Sequence, residues 1–329
     1  MRAWNSETIL GLSREFMETR ILLTGAELGV FTLLAEPPKS LEQVCSSLNA
    51  SARGMAILLD ALAALGLLRK HDGLYTCPED IAALLSAHSP NGVLPMVKHA
   101  ASLWPRWSEL TQIVQSGTVN RPAGIFEDPA ELEAFIGAMH VVGAYAARSI
   151  AESAKASQSL RLLDVGGATG TYAEAFLSKY KGLRATVFDR PEVIALAQKR
   201  LENTGLLARI SLVSGDFYKD PLPGGHDLAL LSAIIHQNSP EQNVDLYKKV
   251  YEALVPGGRI LIRDHVMEPN RTDPPSGAVF AVNMLVATTG GNCYTFNDIR
   301  DTLTAAGFED VCQIQSGERM NALVEAFRR

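Results

Sequence analysis

From Ser159 onward, short apolar runs rich in leucine and β-branched residues alternate with segments whose apolar residues follow helical spacing. Strands separated by helices form parallel sheets, because each helix crosses over and returns the chain to the same end of the sheet. The alternation therefore predicts a doubly wound α/β fold with helices on both faces of the sheet. The apolar runs are RLLDV, RATVF, RISLV, DLALLS and GRILIR.

The end of the chain departs from simple strand–helix alternation. After a loop and a helical segment, two strand-like runs follow, VCQIQS and NALVEAF, with Gly317 between them. Plain dinucleotide-binding folds continue with further parallel units. A terminal hairpin instead predicts that the last strand runs antiparallel to its neighbours.

The N-terminal half shows one helical pattern after another. Helical spacing covers Ile9 to Leu34, Ser40 begins a capping-box pattern, and Ser51 is expected to cap a helix that stops at Gly66. A small hairpin that turns at His71-Asp72-Gly73 comes next. Helix, helix and hairpin in this order predict a winged helix-turn-helix.

The helix in the recognition position of this winged helix is apolar. Its sequence is ARGMAILLDALAALG, with Arg53 as its only basic residue, whereas DNA binding needs several base and phosphate contacts. An apolar helix is better suited to a subunit or domain interface. We predict a helical dimerisation domain over residues 1–105 and an α/β domain over 106–329, with linking helices in 106–158.

Composition narrows the class of protein further. The chain has 329 residues and a formal net charge of −6, which does not suit nucleic-acid binding. No apolar run approaches the ~20 residues of a membrane span, and the N-terminus lacks a signal-peptide pattern. The four cysteines are scattered without a CxxC pair. We expect a cytoplasmic protein with reduced thiols that binds neither nucleic acid nor membrane.

The strongest local signal is the glycine-rich segment LLDVGGATG. An apolar strand leads to Asp164, and Gly166, Gly167 and Gly170 follow before a helix begins. Glycines let a backbone turn tightly and approach a ligand closely. Such a loop can hold a phosphate group at the helix N-terminus or the amino-acid half of S-adenosylmethionine (SAM).

Acidic residues follow the second and third strands. Asp189 ends RATVF, 19 residues after Gly170, where a carboxylate can accept hydrogen bonds from both ribose hydroxyls of an adenosine. The alternative is that Asp189 caps the helix that begins near Pro191. After RISLV, the turn Gly215-Asp216-Phe217 offers a carboxylate for the adenine amino group and a ring to pack on the base.

These motifs in this order resemble those of class I SAM-dependent methyltransferases. More narrowly, LLDVGGATG, TVFDRPEV, LVSGDF, LLSAIIHQNSPEQ and EALVPGGRILI resemble the hydroxyindole and caffeate O-methyltransferase family and its bacterial small-molecule members. The match covers nearly the whole chain. It implies a seven-stranded Rossmann-like sheet, an N-terminal winged-helix dimerisation domain, a homodimer, and SAM as cofactor with S-adenosylhomocysteine (SAH) as product.

Two further cofactor contacts are implied by this resemblance alone. Arg190 and Ser232 match positions that touch the cofactor in the family. Many members carry Lys or Arg at the position of Ser232, so the serine departs from the pattern.

A base for the reaction is found after the strand DLALLS. Methyl transfer to a hydroxyl requires that the hydroxyl lose its proton, and histidine is suited because its pKa lies near neutral pH. His236 matches the catalytic histidine of the family, and Asp264 matches the acidic residue that orients it. Where the family has Asp and often an aromatic residue after the histidine, this chain has Gln237 and Asn238. Cys293 stands where plant members carry a second acidic residue.

His265 follows Asp264 directly, which raises the alternative of a metal site. Two histidines and a carboxylate, His236, His265 and Asp264, could hold a metal and assist methylation at carbon. Alternation along an extended chain points Asp264 and His265 to opposite sides. We therefore predict no metal, with His265 beside the crevice.

The walls of the acceptor pocket are implied by the same resemblance. Apolar and aromatic walls with few polar groups suit a flat, small acceptor. Each of these residues could equally belong to the core. The residues are Trp104 or Trp107, Met139, His140, His265, Asn283, Met284 and Thr288.

These features favour an O-methyltransferase of secondary metabolism that acts on a small aromatic hydroxyl compound. Three alternatives remain open from the sequence. They are a C- or N-methyltransferase for a tetrapyrrole or a 2-oxo acid, a non-catalytic SAM-binding regulator, and a nicotinamide oxidoreductase. The G-G-x-x-G spacing, the GDF turn and the terminal hairpin oppose the last.

Overall fold

A computed structural model describes residues 3–89, 92–119 and 128–329 of the chain. It contains two compact units, Met1–Trp104 and Pro105–Arg329. The elements of the N-terminal unit are α1 (Ser6–Leu12), α2 (Glu15–Glu27), α3 (Val30–Leu34), β1 (Lys39–Ser40), α4 (Leu41–Leu48), α5 (Ala52–Ala64), β2 (Arg69–His71), β3 (Leu74–Thr76) and α6 (Glu79–Leu85). Helix α7 (Leu94–Trp107) ends in the second unit.

The N-terminal unit follows its local sequence signals closely. Ser40 and Gln43 form the capping box of α4, and Ser51 accepts a hydrogen bond from the Gly54 amide at the start of α5. Strands β2 and β3 form the hairpin, and β1 adds a third strand against β3. The long helical pattern of residues 9–34 is divided into three helices, with Gly29 at φ 76° before the last.

The second unit contains the remaining elements. They are α8 (Leu110–Ser116), α9 (Pro129–Ser153), β4 (Arg161–Val165), α10 (Thr171–Lys179), β5 (Arg184–Asp189), α11 (Pro191–Leu201), β6 (Ile210–Ser214), β7 (His226–Ser232), α12 (Pro240–Ala253), β8 (Leu254–Asp264), β9 (Val266–Met267), α13 (Pro275–Ala287), β10 (Tyr294–Thr295), α14 (Phe296–Ala305), β11 (Glu309–Gln315) and β12 (Ala322–Phe327).

Seven strands form one sheet in the order β11-β12-β8-β7-β4-β5-β6. Strands β4 to β8 are parallel, and β12 runs antiparallel to both of its neighbours. This confirms the doubly wound fold with an antiparallel last strand. The strand order reverses between β4 and β7, which is where ligands bind in open α/β sheets.

Each face of the sheet carries its own core. On one face, Leu163, Leu231 and Ile262 pack against α12 and α14, with Tyr247 completely buried. On the other face, alternate residues of the same strands pack against α9, α10 and α11. Because side chains alternate along a strand, consecutive residues at the end of a strand point to opposite faces of the sheet.

Helix α9 is long and apolar enough over Glu131–Ser153 to cross a membrane. Its C-terminal half contributes Ala147, Ile150 and Ala151 to the core beside α10. A buried core helix of a globular domain passes the same test of length and composition.

Candidate active site

The glycine-rich loop between β4 and α10 leaves no room for a side chain at Gly166 or Gly167. Gly166 has φ 65°, and a Cβ there would lie 2.5 Å from Ile234 Cδ1. A Cβ at Gly167 would lie 2.8 Å from the Asp164 carboxyl carbon. Gly170 has φ 74° and is the N-cap residue of α10. The loop is therefore a tight cradle at the switch point of the sheet.

Asp164 lies under this cradle at 1% exposure. Its Oδ2 accepts a hydrogen bond from the Ala173 amide at 3.3 Å. Burial raises the pKa of Asp164 to about 7, the Ala173 hydrogen bond opposes this shift, and the charge of Asp189 adds to it. The carboxyl group is suited to pair with a cationic group of a ligand.

Asp189 joins the second strand to the glycine loop. Its Oδ2 accepts from the Ala168 amide at 2.9 Å and its Oδ1 from the Arg190 amide at 2.7 Å. Burial raises the pKa of Asp189, and these two amides lower it. The N-cap of α11 is Arg190 rather than Asp189. Asp189 is therefore not the N-cap of α11. Its carboxylate is held by two backbone amides at the end of β5.

The turn after β6 lies beside the same loop. A Cβ at Gly215 would lie 2.4 Å from Phe188 Cζ, and the Phe217 ring would lie 3.4 Å from a Cβ at Gly166. Asp216 Oδ1 accepts from the Tyr218 amide at 3.0 Å. Asp216 and Phe217 are thus held in a compact turn at the rim of the cradle.

His236 and Asp264 form the closest ionisable pair in the site. His236 lies in a short 3-10 turn after β7, and Asp264 ends β8. His236 Nδ1 lies 3.0 and 2.9 Å from the two Asp264 oxygens. Asp264 is buried at 1% exposure, and its Oδ1 also accepts from the His265 amide at 2.8 Å. The carboxylate holds Nδ1 as the donor, so Nε2 is left as a proton acceptor.

The residues that depart from the family pattern have structural contacts. Asn238 is fully buried, donates to Asn243 and accepts from Tyr218, so it anchors the turn after His236. Burial raises the pKa of Cys293 to about 12, and the charge of Asp264 adds to it. Cys293 is therefore a neutral thiol and cannot replace a second carboxylate.

His265 lies beside the His236–Asp264 pair but makes a separate hydrogen bond. Its Nδ1 accepts from the Met320 amide at 3.2 Å, so Nε2 carries the proton and is a donor. Burial lowers the pKa of His265 to about 4. Within the described parts of the chain, no group of three or more His, Cys, Asp or Glu is arranged to hold a metal.

Phe280 was not singled out from the sequence. Its ring lies edge-on to His236 at 4.9 Å between centroids and 5.3 Å from the His265 ring. The only sequence signal is that Phe280, Asn283 and Met284 share one face of α13 at helical spacing. The ring joins both imidazoles into one apolar wall.

Three further residues that were expected to line the acceptor pocket lie on or next to α13. Asn283 Oδ1 accepts from Trp107 Nε1 at 3.1 Å, and Met284 is buried. The Thr288 hydroxyl donates to the Met284 carbonyl and accepts from the Gly291 amide, so it closes the end of α13.

The remaining expected contacts lie on α9, on α7 and at the end of β7. Met139 is half-buried on α9, and the neighbouring His140 Nδ1 lies 2.7 Å from Thr171 Oγ1. Trp104 lies in the N-terminal unit, 5.6 Å from the Arg20 guanidinium carbon. Ser232 ends β7, and Arg190 lies 3.7 Å from Glu192.

A seven-stranded sheet of this order, a glycine cradle after β4 and a carboxylate at the tip of β5 define a SAM-dependent methyltransferase. The chain belongs to the O-methyltransferase family. The O-methyltransferase domain of the family matches residues 107–309, and the O-methyltransferase dimerisation domain matches residues 10–85.

Relatives of known activity cover nearly the whole chain. A 3-hydroxy-5-methyl-1-naphthoate 3-O-methyltransferase of Streptomyces sahachiroi is 32% identical over 91% of this chain and 88% of its own. The tetracenomycin polyketide synthesis 8-O-methyl transferase of Streptomyces glaucescens is 31% identical over 92% and 91%. Human N-acetylserotonin methyltransferase, solved in complex with SAM, has a TM-score of 0.85 and 28% identity, covering 100% of this chain and 99% of its own. This chain is an enzyme, and SAM is its cofactor.

Proposed function

We propose that the enzyme transfers the methyl group of SAM to a hydroxyl of a small aromatic acceptor, with His236 as the general base. The observation that carries the base assignment is the hydrogen bond of His236 Nδ1 with Asp264, which is shared between the two carboxylate oxygens. The curated relatives carry small aromatic compounds in their names, a naphthoate and the polyketide tetracenomycin among them. No observation on the described residues favours transfer to carbon or nitrogen, or a non-catalytic role.

The chain's own groups have three tasks in this reaction. His236 Nε2 takes the proton of the acceptor hydroxyl as the oxygen forms its bond to the methyl carbon. Asp264 stabilises the imidazolium that results and keeps Nε2 directed away from itself. The methyl group comes from the sulfonium of SAM, whose C–S electron pair stays on sulfur in SAH. Correct placement of the two bound reactants supplies much of the rate.

We assign the cofactor contacts to the cradle and its rim. Asp189 is placed to accept from the ribose hydroxyls, Asp216 from the adenine amino group, and Phe217 to pack on the base. Asp164 is suited to the ammonium group of the methionine moiety. The full set of proposed cofactor residues is Asp164, Gly166, Gly167, Gly170, Asp189, Arg190, Gly215, Asp216, Phe217 and Ser232.

The acceptor is proposed to lie against the wall of Phe280 and His265. The Nε2–H donor of His265 can bind an oxygen next to the reacting hydroxyl, and Phe280 can pack on the flat ring. Trp104, Met139, His140, Asn283, Met284 and Thr288 remain proposed contacts.

We also propose a cytoplasmic homodimer that forms through residues 1–105, with residues 106–329 carrying the reaction. Large apolar side chains exposed on α1 and α2 support this assembly. The net charge of −6 supports a small-molecule enzyme without nucleic-acid or membrane partners.

The test is a mass-spectrometric screen for methylated products with hydroxynaphthoates, hydroxyindoles and other phenols. With the best acceptor, His236→Ala should lower kcat by on the order of 10²–10⁴-fold while SAH binding stays unchanged. His71→Ala, at an exposed histidine in the N-terminal hairpin, is the control and should keep full activity. Full activity of His236→Ala would remove the base assignment.

A further inference from the structure

One arginine is buried in the sheet and takes part in none of the ion pairs formed among the described residues. Arg263 lies near the end of β8 at 2% exposure. Its Nε has no hydrogen-bond partner among the described residues. The Tyr172 ring lies 5.6 Å from its guanidinium carbon. A buried guanidinium whose Nε lacks a hydrogen-bond partner is costly unless an anion joins it.

Two hydroxyl groups next to Arg263 lack partners as well. Ser232 is the strand neighbour of Arg263 in the pairing of β7 with β8. Neither Ser232 Oγ nor Tyr172 Oη has a hydrogen-bond partner among the described residues. Burial raises the pKa of Tyr172 and the charge of Arg263 lowers it, so the phenol and the guanidinium lie in one electrostatic environment.

These groups face the cradle side of the sheet. Leu230 and Leu261 precede Ser232 and Arg263 by two residues on their strands, and both pack in the core under α9 and α10. Side chains two residues apart share a face, so Ser232 and Arg263 point toward α10, which begins at the glycine loop. Tyr172 lies in the first turn of that helix.

The catalytic pair lies on the opposite side of the same strand end. Asp264 follows Arg263 directly, so the two side chains point to different faces. Asp264 contacts His236 and the acceptor wall, whereas Arg263 faces the glycine loop. An anion at Arg263 would therefore belong to the ligand of the cradle.

Charge complementarity specifies the chemistry of that ligand. Asp164 is on the same face as Arg263 and Ser232, because it follows Leu162 of the same core by two residues. A buried carboxylate and a buried guanidinium on the same side of the sheet suit a zwitterionic ligand. Its ammonium group would lie at Asp164 and its carboxylate at Arg263. The methionine moiety of SAM has both charges.

We propose that Arg263, together with the Ser232 and Tyr172 hydroxyls, binds the carboxylate of the methionine moiety of SAM. The inference rests on SAM being the cofactor and does not depend on the acceptor or on His236. The three donors would share the two oxygens of one carboxylate and form charge-assisted hydrogen bonds with it. Many family members have Lys or Arg at the position of Ser232. In this chain Arg263, on the neighbouring strand, supplies that cation instead.

Calorimetric titration without acceptor tests this assignment with three ligands. SAH has the whole amino acid, decarboxylated SAM keeps only its ammonium, and methylthioadenosine lacks both groups. Arg263→Met should weaken SAH binding about 10- to 100-fold, as expected for hydrogen bonds to a charged group. Binding of decarboxylated SAM and methylthioadenosine should stay within about twofold.

Two further variants make the result specific to the charge. Arg161→Met removes an exposed arginine at the other end of the sheet and should leave all three affinities unchanged. In the Arg263→Met background, Ser232→Lys should restore part of the SAH affinity, because neighbouring strand positions reach the same space. Replacing a buried unpaired cation by methionine is compatible with folding.

Two outcomes would overturn the proposal. An equal loss for all three ligands would make Arg263 a residue that supports the cradle as a whole. Unchanged SAH binding with a raised KM for a carboxylated acceptor would assign the anion to the acceptor instead.

Discussion

The imidazole Nδ1 of His236 lies 3.0 and 2.9 Å from the two carboxylate oxygens of Asp264, although the two residues are 28 positions apart in the chain. The carboxylate receives one further donor, the His265 amide. His236 is thereby held in one tautomer with Nε2 free of the pair. We therefore expect the proposed base function of His236 to depend on Asp264 as well as on the imidazole.

Replacing this carboxylate tests that dependence. Asp264→Asn should lower kcat by on the order of 10²–10⁴-fold, because an amide can donate to Nδ1 and would favour the wrong tautomer. The Kd for SAH should stay the same. Steady-state kinetics and calorimetry measure the two effects. Asp245→Asn, at an exposed carboxylate of α12, is the control. Unchanged kcat would contradict the proposed role.

His265 should make the folded enzyme less stable in mild acid. Its pKa is lowered to about 4 by burial, with Arg263 and His236 lowering it and Asp264 raising it. The unfolded chain takes up the proton near pH 6.5, so stability falls as the pH drops from about 6.5 to about 4. The size of this loss is roughly 3 kcal/mol by linkage.

Urea unfolding of wild type and His265→Asn at pH 5 and pH 7.5 isolates the contribution of His265 to the pH dependence of stability. The difference in unfolding free energy between the two pH values should be smaller for the variant. Other groups titrate equally in both proteins and cancel in this comparison. An identical pH dependence would place the protonation of His265 outside this window.

Asp164 should make cofactor binding sensitive to pH near neutrality. Burial raises its pKa to about 7, with the charge of Asp189 in support. Below that pH the carboxyl group is protonated and cannot pair with an ammonium group, so SAH affinity should fall by up to about tenfold per pH unit. Calorimetry between pH 5.5 and 7.5 measures this slope.

The matched variant is Asp164→Asn, which removes the titrating group at nearly constant size. It should bind SAH more weakly than wild type, and with an affinity that does not change over the same pH window. A wild-type affinity that is flat between pH 5.5 and 7.5 would show that Asp164 already binds as the carboxylate.

The exposed apolar surface of α1 and α2 should hold the dimer together. Leu10, Phe16 and Met17 are 52%, 53% and 52% exposed. Phe16→Glu should weaken dimerisation by about 30-fold or more, because a central aromatic side chain contributes on the order of 2 kcal/mol to an interface. Sedimentation equilibrium measures the constant. Leu160→Glu, at an exposed leucine of the other unit, should remain dimeric. A fully dimeric Phe16→Glu would exclude this surface.

The sequence by itself determined the local structure, because local structure depends on neighbouring residues. Alternating runs specified the strands and crossover helices, and the capping pattern at Ser40 and the turn at Asp72-Gly73 formed as predicted. Gly166 and Gly170 have the positive φ angles that favour glycine. The order of the motifs was specific enough to identify the family.

Tertiary structure alone decided which distant side chains meet. Helical spacing could not show that Phe280 packs on both imidazoles, nor that Asp189 holds the Ala168 amide. The buried cluster of Arg263, Ser232 and Tyr172 comes from two strands and a helix. Such contacts depend on strand order and on which face each side chain occupies, and periodicity along one segment records neither.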